Sequence, residues 1–194
     1  MEKISYALGM SIANNIKASG VKSINVEEFT SAIKAVMNGE KTSMSVIEAQ
    51  QLLNEFFTKL QEEQTAVLKK EGEEFLAENA KKEGIVTLPS GLQYRVVKKG
   101  NGKSPKPTDS VECHYEGRLI NGTKFDSSYD RKETATFGVT QVIPGWVEAL
   151  QLMKEGDKWE LFIPYNLAYG ERGAGQHIPP FSALIFDVEL IKVK

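Results

Sequence analysis

The chain has 194 residues, with 24 basic and 26 acidic side chains, and its formal net charge is -2. This near-balance argues against a nucleic-acid-binding protein that relies on a broad cationic face. No apolar run approaches the ~18 residues that a membrane span needs, so we predict a soluble protein without a membrane partner. The single cysteine, Cys113, excludes an intramolecular disulfide framework and a cysteine-cluster metal site.

Composition divides the chain at Gly84. Residues 1–84 hold 13 Glu and 10 Lys but no Pro, whereas residues 85–194 hold all 7 Pro and 11 of the 16 Gly. Lys, Glu and Ala without Pro favour helices, and Pro and Gly between β-branched runs favour strands joined by turns. We therefore predict a helical arm over 1–84 and a compact, mostly β domain over 85–194.

Two short helices are predicted at the start of the arm. Apolar residues from Tyr6 to Ile16 recur at helical spacing, and Gly20 is the expected stop. Asn25, a good N-cap residue, begins the second helix, which is expected to end near Gly39.

The third predicted helix is much longer. Ser45 and Glu48 form a capping-box pattern, and no clear stop follows before Gly84. A continuous helix over about 46–83 would extend roughly 57 Å at ~1.5 Å per residue. Its first half is rich in apolar positions, whereas residues 61–82 are dominated by Glu, Lys and Gln, which is typical of a solvated spacer.

The arm offers few positions for a core of its own. Two short helices and the start of a third lie near the ~40-residue size at which oligomerisation usually helps a fold. We therefore predict a homodimer formed through residues 1–60. The alternative is that the arm folds back and packs on the C-terminal domain.

In the second half of the chain the apolar pattern alternates with period two. Val111, Cys113 and Tyr115 alternate with polar residues, which predicts a strand with one buried face. Asn121-Gly122, a strong hairpin signal, follows this strand.

Further strands are predicted over 158–163 and 183–193, and a short helix over 146–153. The domain is therefore predicted to be of class α+β, an antiparallel sheet with one helix packed against it.

Conventional catalytic motifs are missing from this sequence, including the zinc-protease, nucleophile-elbow and phosphate-loop patterns. His114 alternates with glutamates and is interpreted as a surface histidine rather than a metal ligand. Cys113 falls on the inward face and is interpreted as a small buried hydrophobe rather than a reactive thiol. We predict neither a metal nor a cofactor.

Aromatic residues are frequent at the predicted loop and strand edges of the second domain. For any one of them alone, a place in an aromatic core is the simpler interpretation. Six stand out: Tyr115, Phe125, Trp146, Tyr169, Phe181 and Phe186.

Five ordered motifs include four of these aromatic residues, Phe125, Trp146, Tyr169 and Phe186. They are FDSS at 125–128, VIPGW at 142–146, AYG at 168–170, IPP at 178–180 and LIFDVEL at 184–190. Together they resemble the FK506-binding-protein family of peptidyl-prolyl cis-trans isomerases. The arm, through YALGM at 6–10 and the segment 75–84, resembles the two-domain bacterial members of the macrophage-infectivity-potentiator type.

The resemblance implies an apolar substrate pocket with Trp146 as its floor. Asp126 and Tyr169 would be the polar groups at its rim, with Arg131 close to Asp126. The same resemblance implies that Asp126, Tyr169 and Phe125 carry catalysis and that macrolides such as rapamycin are candidate ligands. The implied walls are Tyr115, Phe125, Val142, Ile143, Ile178 and Phe186.

The sequence departs from the family in two segments. Between Arg131 and Trp146 it is shorter than the best-known single-domain members, and Ala135 stands where those have an aromatic wall residue. In the later loop, Ala174 stands where a histidine is common and His177 where a second aliphatic residue is common.

The implied activity is acceleration of Xaa-Pro bond rotation in folding proteins, by desolvation and twisting of the prolyl amide. The alternative is a holdase chaperone or binding module that captures proline-containing apolar segments without turnover. Two pockets held on a dimeric arm would favour such capture through multivalency. Because the chain starts close to the arm motif without a leader, the cytoplasm is the predicted location, and the periplasm is the alternative if a leader was removed.

Overall fold

The computed structural model describes every residue from Met1 to Lys194 and divides them into two compact parts, Met1–Glu63 and Gln64–Lys194. The division falls inside the third helix, and the predicted domain boundary at 84/85 stays a prediction. The helices are α1 (Glu2–Ala18), α2 (Val26–Asn38), α3 (Val46–Asn79), α4 (Ser128–Arg131) and α5 (Pro144–Leu152).

Helices α2 and α3 begin at the predicted caps. The Asn25 side chain accepts a hydrogen bond from the Glu28 amide at 3.1 Å, and α2 ends at Gly39 in the left-handed conformation. At the start of α3, the Ser45 amide donates to Glu48 at 2.7 Å and the Glu48 amide donates to the Ser45 hydroxyl at 3.2 Å. The predicted capping box is therefore confirmed.

Helix α3 ends at Asn79 rather than near residue 83. Asn79 is 1% exposed, and its side-chain amide donates to Gln93 Oε1 at 3.0 Å. Gln93 in turn donates to the carbonyl of Leu76 at 2.9 Å, which also accepts from the Ala80 amide at 3.0 Å. Gln93, on the first long strand of the second part, is therefore hydrogen-bonded to the last turn of the helix.

The first part, Met1–Glu63, has no buried residue. Its helices present apolar side chains to solvent, although none of the helices in the chain is both long and apolar enough to cross a membrane. The cellular location stays a prediction. Large exposed side chains include Tyr6, Leu8, Met10, Ile12, Ile33, Val36, Leu52, Leu53, Phe56 and Phe57.

The second part is built on one antiparallel sheet with the order β1-β2-β6-β7-β3-β4, in which β5 also pairs with β3. Alternate residues of β3 are buried, as the period-two pattern predicts. The strands are β1 (Val86–Thr87), β2 (Gln93–Lys98), β3 (Ser110–Leu119), β4 (Lys124–Ser127), β5 (Ala135–Gly138), β6 (Lys158–Ile163) and β7 (Leu184–Val193).

Helix α5 packs on one face of this sheet and closes the core. It begins at Pro144, two positions before the predicted start, because proline is favoured in the first helical turn. Trp146, Ala149 and Leu150 of α5 are buried against the sheet. The predicted α+β fold, an antiparallel sheet with one short helix against it, is confirmed.

Candidate active site

A cavity of about 650 Å³ lies where α5 meets the sheet and two loops, a size typical of small-molecule pockets. Every predicted site residue except Arg131 lines it, and Arg131 bonds to two that do. The lining residues are Tyr115, Phe125, Asp126, Phe137, Gln141, Val142, Ile143, Trp146, Tyr169, Ala174, Gly175, His177, Ile178 and Phe186.

The floor of the cavity is Trp146, which is 3% exposed. The Tyr115 ring stands nearly perpendicular to it, with the ring centroids 5.4 Å apart. Phe137 and Phe186 do the same, at 5.7 Å and 5.3 Å. Edge-to-face contacts of this kind are favourable, so three rings brace the indole from different strands.

Phe125 and Phe186 form a second edge-to-face pair, with centroids 5.5 Å apart. The two rings meet over Gly117 of β3. A Cβ atom at Gly117 would lie 2.6 Å from both rings, which is closer than real side chains approach. The glycine therefore allows these two walls to close over the strand.

Phe137 lines the cavity but was missed by the sequence analysis, which considered only Ala135 in this wall. On β5, Ala135 pairs with Cys113 and Phe137 pairs with Val111, so both side chains share the inward face. Phe137 lies 5.8 Å from Tyr115 between ring centroids and fills the wall. The only signal in the sequence is the alternation within Ala135–Gly138, and four residues are too few to predict a strand.

A polar cluster stands at the rim, formed by Tyr115, Asp126 and Arg131. The Tyr115 hydroxyl donates to Asp126 Oδ2 at 2.6 Å, and Arg131 donates to the Tyr115 hydroxyl at 2.9 Å. Arg131 also pairs with Asp126 Oδ1. We call this set the Tyr115–Asp126–Arg131 cluster.

The charge state of the cluster follows from its hydrogen bonds. Burial raises the pKa of Asp126, but the hydrogen bonds from Tyr115 and Arg131 outweigh burial and hold this pKa below its usual value. The pKa of Arg131 is raised by its hydrogen bonds to Asp126 and Tyr115. Burial, and then the hydrogen bond to Asp126, raises the pKa of Tyr115. At neutral pH the cluster is therefore an ion pair bridged by a neutral phenol.

Tyr169 lies across the cavity and is 39% exposed. Burial, and then the negative charge of Asp126, raises the pKa of its phenol, which keeps the hydroxyl protonated. The following residue, Gly170, holds the loop by accepting from the Phe181 amide at 3.0 Å and donating to the Tyr165 carbonyl at 2.8 Å.

The loop before β7 closes on itself as a small hairpin. Ala174 and Ile178 exchange backbone hydrogen bonds of 2.8 Å and 3.1 Å. Gly173 has a positive φ of 66°, and a Cβ atom there would lie 2.2 Å from the Ile178 carbonyl oxygen. This tight backbone presents Ile178 and His177 to the cavity.

Cys113 lies outside this site. It is fully buried, and burial raises the pKa of its thiol to about 12, so it is not a nucleophile at neutral pH. The interpretation of Cys113 as a buried hydrophobe is confirmed. His114 occupies the outer face of β3 as predicted, but it is half-buried and stacks on Tyr129 at 4.7 Å between ring centroids.

Known proteins match both halves of the chain. Residues 101–191 match the family described as "FKBP-type peptidyl-prolyl cis-trans isomerase", and residues 1–96 match "Domain amino terminal to FKBP-type peptidyl-prolyl isomerase". The chain is 44% identical over 192 residues to the FKBP-type 22 kDa peptidyl-prolyl cis-trans isomerase of Escherichia coli strain K12, covering 97% of this chain and 93% of that protein.

Two further relatives span almost the whole chain. The outer membrane protein MIP of Legionella longbeachae is 41% identical over 200 residues, which is 100% of this chain and 85% of that protein. The crystal structure of FkpA from Escherichia coli superposes with a TM-score of 0.81 at 36% identity, covering 99% of this chain and 95% of that one.

Proposed function

Because the chain belongs to the FKBP-type peptidyl-prolyl cis-trans isomerase family, we propose that its cavity seats a substrate proline ring on Trp146 and favours rotation of the preceding amide. The family confirms the isomerase activity predicted from the sequence, with proline-containing polypeptides as substrates. The proposed residue roles rest on one observation: aromatic rings hold Trp146 at the bottom of the cavity, and polar side chains lie at its rim.

The reaction is slow without a catalyst because amide resonance sets a barrier of ~18–20 kcal/mol. Uncatalysed Xaa-Pro exchange therefore takes tens of seconds or longer. No covalent bond is made or broken, and no proton is transferred. The enzyme needs only to stabilise the twisted amide more than the planar one.

An apolar cavity meets this need by removing water from the amide. Water bonded to the carbonyl favours the planar, charge-separated form, whereas the twisted form has lost conjugation and has a less polar carbonyl. Moving the amide onto Trp146, among the five other aromatic rings that line the cavity, selectively weakens the planar ground state. Each ~1.4 kcal/mol gained in this way is worth tenfold in rate.

The rim supplies fixed polar groups for the rotating bond. Tyr169 is the proposed donor to a substrate carbonyl, because its phenol stays protonated beside the cavity. Asp126 is proposed to place a negative field and a turn-orienting contact at the rim. Neither is assigned as a nucleophile or general base, since the reaction transfers neither a group nor a proton.

The proposal is tested by measuring cis-trans exchange of a short Xaa-Pro peptide by NMR, with and without the protein. We expect faster exchange that is blocked by rapamycin, because we also propose that macrolides occupy this cavity. Faster exchange that rapamycin leaves unchanged would overturn the macrolide proposal alone. No acceleration by the folded protein would make the cavity a binding site, and the holdase alternative would then lead.

Replacement of Arg131 by Met is expected to shift the acid limb of the activity profile to higher pH. Arg131 helps to hold the pKa of Asp126 below its usual value of about 3.9, so its loss raises that pKa and the carboxylate is protonated earlier as pH falls. The check is kcat/KM measured from about pH 3 to pH 7. Arg172→Met, at an exposed position outside the cavity lining, is the control. Identical profiles for wild type and Arg131→Met would contradict the assignment.

The stability of the folded protein is expected to fall at acid pH for the same reason as its activity. A carboxyl group with a lowered folded pKa stabilises the fold above its unfolded pKa, and this contribution is lost as pH falls through the folded pKa. The Asp126 side chain is 40% exposed, so solvent screening keeps this contribution small.

We propose that a second copy of this chain covers the apolar side chains of Met1–Glu63. The support is that this part has no buried residue of its own while it exposes many large apolar side chains. Phe56→Glu is expected to reduce the mass in solution from twice 21.5 kDa to 21.5 kDa, as measured by light scattering. Val67→Glu, at another exposed apolar position of α3 that lies outside this part, is the control. A monomeric wild-type protein would contradict the proposal.

A further inference from the structure

Strand β3 is paired along only part of one of its two edges. On one edge it pairs with β7 over nearly its whole length. On the other edge, β5 pairs with Ser110–Cys113 and β4 pairs with Glu116–Arg118. His114 and Tyr115 therefore face a gap in the sheet. Backbone polar groups that are buried in such a gap need another partner.

The side chain of Ser128 fills this gap. Ser128 is 0% exposed, and its hydroxyl oxygen accepts from the Tyr115 amide at 2.7 Å. The same hydroxyl donates to the Tyr115 carbonyl at 3.2 Å. One hydroxyl thus satisfies both backbone groups of Tyr115 that a strand partner would otherwise satisfy.

A third group contacts the same oxygen, which restricts the hydrogen-bond arrangement further. His114 Nδ1 lies 3.0 Å from the Ser128 hydroxyl. The hydroxyl has only one proton, so when that proton is given to the Tyr115 carbonyl, His114 completes the arrangement as a donor. The Ser128 oxygen is then held from three directions.

This attachment concerns the site because Tyr115 belongs to the polar cluster. The segment 126–131 contacts both the backbone and the hydroxyl of Tyr115. Ser128 binds the Tyr115 backbone, while Asp126 and Arg131 bind the Tyr115 hydroxyl. Hydrogen bonds at these two points fix the position of β3 relative to this segment.

We propose that Ser128 is a positioning residue of the isomerase site, whose hydroxyl bridges the gap beside β3 and so sets the geometry of the Tyr115–Asp126–Arg131 cluster. This inference rests on the proposed function of that cluster. Ser128 touches neither the cavity nor a substrate seated in it, so it acts through Tyr115.

The neighbouring Ser127 offers a matched control. It is also buried, at 4% exposure, and its hydroxyl accepts from the Asp130 amide at 3.3 Å as the N-cap of α4. It makes no side-chain hydrogen bond to Tyr115. Ser127→Ala therefore removes a buried hydroxyl from the same segment without opening the gap in the sheet.

The test compares Ser128→Ala with Ser127→Ala by three measurements. These are kcat/KM on an Xaa-Pro peptide, the carboxyl-carbon NMR titration of Asp126, and hydrogen exchange of the Tyr115 amide. For Ser128→Ala we expect kcat/KM to fall about tenfold, the pKa of Asp126 to move towards its usual value, and the Tyr115 amide to exchange faster. Ser127→Ala is expected to keep all three at the wild-type level.

The inference is overturned if Ser128→Ala keeps the wild-type Asp126 titration and kcat/KM, or if Ser127→Ala changes them equally. Should Ser128→Ala fail to fold, hydrogen exchange of the wild-type protein still tests the inference. Rapid exchange of the Tyr115 amide would show that its bond to Ser128 is not maintained, and would overturn the inference. An active Asp126→Leu variant would instead defeat the proposed role of the cluster, and the Asp126 titration in Ser128→Ala would still report on positioning.

Discussion

Replacing Asp126 with Leu is expected to lower kcat/KM for a prolyl peptide about 100-fold, a loss typical of removing one preorganised polar group from an active site. The variant removes the carboxylate field from the rim. It also leaves the Arg131 guanidinium without its partner beside the Tyr115 hydroxyl. The fold is expected to survive, because the Asp126 side chain is 40% exposed and lies outside the apolar core.

The measurement is NMR exchange of the peptide, with thermal unfolding of each variant as the check on folding. Asp130→Leu is the matched control, since Asp130 is a nearby carboxylate that pairs with Lys124 at 2.5 Å on the surface. Phe125→Ala, which removes an aromatic wall instead of a charge, is expected to lower activity as well. Wild-type activity in folded Asp126→Leu and Phe125→Ala proteins would refute the site assignment.

Replacing Gly117 with Ala is expected to lower kcat/KM at least tenfold. A loss of roughly this size is expected when side chains that position a substrate are displaced. The added Cβ would lie 2.6 Å from Phe125 and from Phe186, and both rings line the cavity. These rings must turn or the strand must shift, and overpacking of this kind lowers the free energy of unfolding by about 1–3 kcal/mol. Peptide kinetics and denaturant unfolding measure the two effects separately.

Gly138→Ala is the matched control for this change. A Cβ atom at Gly138 would meet Gln141 Oε1 at 2.8 Å and Cδ at 2.9 Å, but these atoms form the far end of a flexible side chain that can move aside. Gln141 also lines the cavity, but it is not one of the aromatic walls and has no assigned role in the reaction. We therefore expect this variant to keep most of its activity and stability. If Gly117→Ala behaved like Gly138→Ala, the aromatic rings would not be held as closely as the structure places them.

Several elements could be predicted because their causes are local. The caps at Asn25 and Ser45 work through residues two or three positions away, so the starts of α2 and α3 were found correctly. The alternation along β3 likewise reports its buried face directly. The residues of the cavity could be selected because the motifs that carry the family resemblance contain most of its lining.

Other features depend on residues that are distant in the chain. The last turn of α3 is hydrogen-bonded to Gln93, which lies on the second strand. Phe137 enters the cavity because β5 pairs with β3 in one particular register. A strand of four residues is too short for its sequence pattern to predict that register. The motif around Ser128 was visible in the sequence, but its bonds to Tyr115 were not.

The sequence by itself determined the division into a helical and an α+β region, the family and the set of aromatic residues, because these follow from local periodicity, capping and ordered motifs. Only the tertiary structure decided which rings brace Trp146, how Tyr115, Asp126 and Arg131 share their hydrogen bonds, and which hydroxyl fills the gap beside β3. The physical reason is that these contacts arise from strand pairing and side-chain packing between segments far apart in the chain, whose register no short stretch of residues specifies.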